Sequence, residues 1–225
     1  MSVLSAAQSA ALRTVRCSLP TLFGSTDQIA LEFIDLANEC AAMIARDHDW
    51  QRLLKLHTVT GDGTAEAFPM PADYARMPLK ANVFSTRSRF PFVPARDLDQ
   101  WLEFEITPVV AAPGFWILIG GQLNIKPALG AAETARFFYL SDRIVSGDQA
   151  TFSANEDAFL LDERLLTLAM VWRWKAQKGL EYGEDMTNYN SMFAALAGKE
   201  RGSRMLAVGG ATVPYGARVA YPGTI

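Results

Sequence analysis

Few residues in this sequence have the types and spacing that acid–base or metal chemistry needs. The 225-residue chain contains two histidines, His48 and His57, and two cysteines, Cys17 and Cys40. This count excludes a metal centre or a triad that is built on several imidazoles. The cysteines have no CxxC spacing and belong to separate predicted elements. We therefore expect buried, inert thiols in a reducing compartment rather than a disulfide framework.

The segment Asp47-His48-Asp49 has the composition of a metal-ligand cluster. Adjacent residues on a helix point in different directions, so these three side chains are not expected to converge on one ion. The segment is instead predicted to be a solvated helix end. His57 falls within a predicted strand and is expected to be a hydrogen-bonded structural side chain.

The other chemically suggestive patterns also have structural explanations. Gly61-Asp62-Gly63 lacks the lysine and the following helix of a phosphate-binding loop, which favours a turn. The acid pairs Asp162-Glu163 and Glu184-Asp185 lie at helix starts, where the helix dipole explains them. Trp172-Arg173-Trp174 could stack on a base, but its apolar helix favours a core position. The sequence contains no nucleophile-elbow, paired-cysteine or dinucleotide motif, so we expect no catalytic, cofactor or metal site.

The composition is that of a protein with a substantial core. Half of the residues are hydrophobic, the net charge is −3 and the pI is about 5.5. The lysines and arginines are scattered, which argues against binding nucleic acid through bulk charge. No apolar run reaches the roughly 18 residues of a membrane-spanning helix, and the N-terminus lacks a secretory signal pattern. We therefore expect one cytosolic domain, with or without a sizeable insertion.

The stretch Leu161–Lys178 is the helix around which the chain is expected to fold. Its apolar residues surround almost the whole helix, which predicts burial. Acidic residues in its first turn and lysines in its last turn complement the helix dipole, and Gly179 marks its end. Such a helix needs other helices to pack against.

Two further strong helices are predicted, at Asp27–Arg46 and Glu184–Lys199, each with a large apolar face. The segment Ser5–Val15 has good helix formers but few large apolar groups, so only a weak helix is expected there. The three strong helices are predicted to pack together. Their shared core is expected to contain Phe33, Leu36, Leu165, Leu168, Trp172 and Phe193.

The middle of the chain has the alternating pattern of strands. Residues 56–60 and 65–68 flank the Gly-Asp-Gly turn and predict a β-hairpin. Short edge strands are expected near 81–85 and 90–93, followed by one or two helical turns at 97–104. The runs 115–119, 123–125 and 134–140 predict an antiparallel meander with a Gly120-Gly121 turn.

These elements predict an α+β fold, in which a small antiparallel helix bundle carries an inserted β-rich subdomain and an extended C-terminal arm. The predicted parts are a first helical half (1–54), a β-rich insertion (55–156), a second helical half (157–203) and the arm (204–225). The arm is too rich in Gly and Pro for a helix, yet too apolar for an ordinary solvated terminus. It is predicted to bind a partner through Val208, Val213, Tyr215, Val219, Tyr221 and Ile225.

Several stretches resemble tailed-bacteriophage head-tail adaptor (connector) proteins. The succession from Asp35 to Trp50, with the Gly-Asp-Gly turn and FPMPADY (68–74), looks like the opening of these proteins. GFW (114–116), GQLNIKP (121–127) and FYL (138–140) are similar to their middle part. LLDERLL (160–166), WRWKAQKGL (172–180) and Tyr182 complete the resemblance. It covers roughly 27–204 and leaves out the first two dozen residues and the glycine-rich tail.

The resemblance implies a non-enzymatic virion protein that is assembled in the host cytoplasm. Such a protein forms a homomeric ring, expected to be a dodecamer, beneath the portal protein and presents a platform to a downstream tail or stopper protein. Genomic DNA would pass through its channel without specific binding, and no cofactor or membrane contact is implied. The alternative hypothesis is a small ligand-binding or hydrolytic α+β domain with a site between its helices and its insertion. An enzyme of that kind would concentrate convergent polar groups in one pocket.

Overall fold

The structure is a computed structural model that describes residues 2–79, 81–106 and 113–200. Within these residues the fold is α+β, with five helices and two sheets, as the sequence predicts. The helices are α1 (Val3–Thr14), α2 (Gln28–Asp47), α3 (Leu98–Ile106), α4 (Glu163–Gln177) and α5 (Gly183–Glu200). The strands are β1 (Leu54–Thr60), β2 (Ala67–Pro69), β3 (Tyr74–Arg76), β4 (Phe84–Ser85), β5 (Val93–Pro94), β6 (Phe115–Ile119), β7 (Gln122–Lys126) and β8 (Thr134–Ser141).

The described chain divides into two compact units. The first comprises Met1–His57, Pro71–Ala81 and Phe138–Glu200, and the second takes in Thr58–Met70 and Asn82–Phe137. The second unit therefore falls inside the predicted β-rich insertion. Residues 55–57, 71–81 and 138–156 of that predicted insertion belong to the first unit. The last of these ranges does so because Ile144, Val145 and Phe152 are buried in the core of that unit.

The first unit is a helix bundle centred on α4. This helix packs against α1, α2 and α5, as expected for an element that is apolar almost all round. Side chains cap the N-termini of α2 and α4. The Asp27 carboxylate accepts from the Ile29 amide at 3.3 Å, and Asp162 accepts from the Leu165 amide at 2.9 Å. The organising role predicted for this stretch is confirmed.

Helix α1 packs more closely than its sequence predicts. Five small or medium side chains on one face are almost fully buried: Val3, Ala6, Ala7, Ala10 and Ala11. Alanine presents little bulk, so the helix can approach α4 closely and make many dispersion contacts. The bundle therefore has four packed helices rather than the three strong ones predicted.

The predicted shared core is correct for three of its six residues. Phe33, Leu36 and Leu165 are 0–2 % exposed. The other three are only partly buried against that core: Leu168, Trp172 and Phe193. The most deeply buried part of α4 instead includes Leu166, Ala169 and Met170.

The predicted hairpin at the Gly-Asp-Gly turn is wrong. β1 lies beside β8 in one sheet, and β2 pairs antiparallel with β7 in the other. The chain leaves β1 at Gly61, whose amide donates to the Glu133 carbonyl at 2.8 Å. A Cβ at Gly61 would lie 2.4 Å from the Leu129 Cβ, so glycine is required for this close approach. A long-range contact, and not the local turn, therefore selects the strand partner.

The predicted meander is half correct. β6 and β7 form an antiparallel hairpin whose turn residues, Gly120 and Gly121, have φ of 59° and 74°. The third run, β8, does not join them; it pairs with β3 and β4. Arg87 fixes the intervening loop by donating to the Pro127 carbonyl at 2.9 Å and to Glu133 at 2.8 Å. Because of these contacts the loop directs β8 into the other sheet.

The second unit has its own buried side chains around the β2–β7–β6–β5 sheet. They are Val59, Phe68, Val83, Phe92, Trp101, Leu123, Ile125, Leu129, Ala135 and Phe137. Trp101 anchors α3 among them, and the ring of Phe104 stacks on Phe115 with centroids 4.2 Å apart. The helical turns predicted at 97–104 are confirmed and extend to Ile106.

Candidate interaction surfaces

A polar cluster of the first unit centres on the Asp73 carboxylate. Lys55 Nζ donates to Asp73 Oδ2 at 2.6 Å, and Ser141 Oγ donates to the same oxygen at 2.8 Å. Tyr139 Oη donates to Oδ1 at 2.8 Å. Lys55 comes from β1, while Tyr139 and Ser141 come from β8, so one carboxylate ties two strands to the turn before β3.

The groups of this cluster have shifted pKa values that fix their protonation states near neutral pH. Burial opposes ionisation of Asp73, but the hydrogen bonds from Lys55, Ser141 and Tyr139 outweigh it and hold the pKa of Asp73 well below its usual range. Burial, followed by the hydrogen bond to Asp73, raises the pKa of Tyr139 to about 12. Burial lowers the pKa of the neighbouring His57. Near neutral pH the cluster is a fixed ion pair with neutral neighbours, which is the arrangement of a structural network rather than of a proton-transfer site.

Sequence reasoning did not identify Asp73 as the centre of a network. Its partners lie on separate strands, and no spacing along the chain relates them. His57 is the one residue of this region that the sequence singled out, as a structural side chain in a strand. Its ring packs edge-on against Tyr139, with centroids 6.3 Å apart.

Tyr189 of α5 contrasts with Tyr139 and gives a test. Tyr189 is 5 % exposed, and its hydroxyl has no hydrogen-bond partner among the described residues. An unsatisfied buried hydroxyl costs free energy, so Tyr189→Phe is expected to leave the free energy of unfolding unchanged or to raise it by up to about 1 kcal/mol. The matched change Tyr139→Phe removes a hydrogen bond to a carboxylate and is expected to lower it by about 1–3 kcal/mol. Urea titrations of both variants check this; a larger loss from Tyr189→Phe would contradict it.

The segment Asp47-His48-Asp49 is not a ligand cluster. Asp49 accepts from the Arg76 guanidinium and from the Leu79 amide at 2.9 Å. The His48 ring packs edge-on against Trp50, with centroids 4.9 Å apart. The predicted solvated helix end is correct for exposed Asp47 and only partly correct for His48 and Asp49, which are half-buried because Arg76 and the aromatic side chains partly cover them. In the part of the chain that the structure describes, no three His, Cys, Asp or Glu side chains come together as a metal site.

The first unit contains a cleft of about 400 Å³. It is lined by Ala42, Ala45, Arg46, Ala75, Arg76, Leu140, Ser141, Asp142, Ile144 and Ala150. Two of its polar side chains are already engaged within the protein, Arg76 with Asp49 and Ser141 with Asp73. Asp142 Oδ1 lies 3.2 Å from Arg143 Nε, which leaves Arg46 as the remaining polar side chain of the lining, so few polar groups are available to converge on a ligand.

The two cysteines are free thiols. Cys40 is buried in the bundle core, and burial raises the pKa of its thiol to about 12, so it is inert as predicted. Cys17 is partly exposed, and the expectation of burial is wrong for it.

Exposed apolar side chains are more suggestive of function than any cleft. The second unit exposes Phe84, Phe90, Val93, Leu98, Leu102, Ile106, Leu118 and Ile119. Three of these belong to the short helix α3 and are 56–78 % exposed. Apolar groups concentrated in this way are typical of surfaces that contact other proteins.

The predicted partner-binding residues of the C-terminal arm lie outside the described residues. These are Val208, Val213, Tyr215, Val219, Tyr221 and Ile225. Their role stays a prediction. In the described part of the chain, no helix has the length and apolar character needed to span a bilayer.

Comparison with known proteins supports the resemblance to phage adaptors. Residues 1–214 match the family model described as SU10 adaptor protein. A search of curated proteins gives no match. The family match extends further than the resemblance at both ends, since it includes the first two dozen residues and part of the glycine-rich tail. The family is one of phage adaptors, which implies a structural role in the virion. The chain belongs to the SU10 adaptor protein family.

Proposed function

We propose that copies of this protein form a closed ring beneath the portal and join the capsid to the tail. The observation that carries this proposal is the family match over residues 1–214. The ring is a dodecamer that matches the portal, and its lower face receives a downstream tail or stopper protein. The protein is assembled in the host cytoplasm, acts in the virion and catalyses no reaction.

The division of the chain into two units supports different roles for the two units within the ring. The helix bundle of the first unit has a continuous buried core and forms the rigid wall. The smaller, β-rich second unit exposes almost as many large apolar side chains as the first and faces a neighbouring component. Such contacts explain why apolar side chains remain uncovered in a single chain.

The charge of the chain supports passage of DNA through the ring. Phosphate neutralisation by basic side chains is the main source of non-specific DNA binding. A chain with a net charge of −3 and scattered lysines and arginines offers little of this attraction. The channel wall therefore lets DNA slide without holding it.

The C-terminal arm carries the attachment to the portal. Val208, Val213, Tyr215, Val219, Tyr221 and Ile225 are spaced among Gly and Pro, which suits an extended strap. An extended strap satisfies its backbone by pairing with an exposed strand edge and places its apolar side chains in pockets of the partner. Ordering some twenty residues costs roughly 1–2 kcal/mol each, so the contact must be long and well paired.

Deletion of residues 209–225 tests this attachment. The truncated protein is expected to keep its melting temperature, because the arm is predicted to bind a partner rather than to pack on its own subunit. Its portal occupancy, measured by sedimentation of portal complexes, is expected to fall strongly. A control of equal length, in which Val213, Tyr215, Val219 and Tyr221 are replaced by Ser, separates side-chain contacts from chain length. Full occupancy of the truncated protein would show that the arm does not dock.

A further inference from the structure

Helix α3 presents an unpartnered apolar stripe. Leu98, Leu102 and Ile106 follow one another at intervals of four residues and therefore share one face of the helix. They are 63 %, 56 % and 78 % exposed, whereas Trp101, which lies roughly a quarter turn round the helix from this stripe, is 7 % exposed. The helix is thus anchored by one face and displays a second apolar face outward.

Carboxylates border this stripe. Asp99 and Glu103 lie next to it on the helix surface, and neither forms an ion pair with a cation in the described ranges. The neighbouring charges are already paired, since Arg96 binds Asp97 at 2.7 Å and Lys126 approaches Glu105 at 3.9 Å. The outward face of α3 is therefore apolar along its centre and acidic along one side.

A basic groove lies between α1 and α4 in the first unit. It encloses about 260 Å³ and is lined by Ser5, Ala6, Ser9, Arg13, Glu163, Arg164 and Thr167. Arg13 and Arg164 are exposed, and neither pairs with a carboxylate in the part of the chain that is described. Leu12, the neighbour of Arg13, is 58 % exposed and adds an apolar surface beside the groove.

We propose that α3 of one copy docks on this groove of the adjacent copy. The occupant is a second copy of the chain, because one chain carries both an acidic, apolar helix face and a basic groove with an apolar rim. Asp99 and Glu103 pair with Arg13 and Arg164, while the leucines of α3 cover Leu12. This places an amphipathic helix in a groove, a common mode of protein recognition.

Two different patches that bind each other make a head-to-tail contact, and head-to-tail contacts with a closing rotation generate rings. The inference therefore rests on the proposed ring and identifies the surfaces that build it. A single helix face is smaller than a standard interface, which buries roughly 800 Å² per partner. This contact is therefore one part of a larger interface, and its role is to make that interface specific. The exposed Leu12 beside the groove favours an occupant with apolar side chains over a nucleic-acid phosphate.

Charge exchange tests the proposal. One variant reverses the acidic side (Asp99→Arg with Glu103→Arg), and another reverses the basic side (Arg13→Glu with Arg164→Glu). Each is expected to reduce the yield of complete rings on portals by at least about tenfold, because like charges then face each other. The variant that carries all four changes has the net charge of the wild type and is expected to restore assembly. Ring yield is counted in electron micrographs, and circular dichroism confirms the fold of each variant.

The control for the acidic-side variant combines Glu66→Arg with Glu156→Arg, which raises the net charge by the same amount at exposed residues outside both patches, and it is expected to assemble normally. The inference would be overturned if the acidic-side or the basic-side variant formed normal rings. It would also be overturned if the variant with all four changes failed to assemble while the wild type assembled. Either result would leave the proposed ring intact. Absence of rings from the wild type would instead refute the proposed function and the inference with it. Loss of DNA binding without loss of rings in the basic-side variant would assign the groove to nucleic acid and overturn the inference.

Discussion

Leu165→Ala is expected to lower the free energy of unfolding by roughly 2–5 kcal/mol. Leu165 is 0 % exposed in α4, the helix against which α1, α2 and α5 all pack. Truncation removes apolar contacts and leaves a cavity that a helix held on several sides cannot close by shifting. Urea denaturation monitored by tryptophan fluorescence and by circular dichroism measures the loss.

Leu168→Ala is the matched control, since it makes the same chemical change one helical turn away. Leu168 is only partly buried against the core, so its loss is expected to be clearly smaller. An equal or larger loss at Leu168 would contradict the packing described for α4.

Asp73→Asn is expected to lower the free energy of unfolding by about 1–3 kcal/mol at neutral pH, because hydrogen bonds to a charged acceptor are among the stronger ones. The change leaves the shape of the side chain but removes the charge that Lys55 contacts at 2.6 Å. Asp148→Asn is the control: Asp148 also approaches Lys55, at 3.3 Å, but is 73 % exposed. A surface pair of that kind contributes little, so the control is expected to behave like the wild type.

The effect of Asp73→Asn depends on pH in a definite direction. The folded-state pKa of Asp73 is lowered, so its stabilisation is fully present above the unfolded-state pKa of about 3.9. It is lost as the pH falls below that value toward the folded-state pKa. The difference in stability between the wild type and Asp73→Asn should therefore be constant from pH 5 to 7 and shrink below about pH 4. A difference that stays constant down to pH 2 would contradict a charged Asp73.

The helices could be predicted closely because their signals are local. Asp27 and Asp162 cap α2 and α4, and Gly179, with φ of 69°, ends the latter. Capping residues, a stop residue and a periodic apolar face all lie within the segment that they define. The sequence alone therefore located both helices to within two residues at their capped ends.

Strand partners could not be predicted in the same way. Alternation shows which face of a strand is buried, but not which strand lies beside it. The Gly-Asp-Gly turn has the composition of a hairpin turn, yet Gly61 packs against Leu129, far along the chain. Helix α3 illustrates a related limit: its pattern contains Leu98, Trp101 and Leu102, and only the structure shows that the tryptophan is buried while both leucines are exposed.

The interaction surfaces were only partly accessible from the sequence. The C-terminal arm could be predicted because its apolar, Gly- and Pro-rich composition is visible in the sequence. The basic groove combines Arg13 of α1 with Arg164 of α4, which are brought together by packing of two helices that are distant along the chain. No local pattern in the sequence indicates such a groove.

Negative-stain electron microscopy of the purified protein, alone and mixed with its portal, tests the adaptor function most directly. We expect portal particles to gain an additional closed ring on one face, with the symmetry of the portal. Portals that remain unchanged in the presence of excess folded protein would contradict the proposed function.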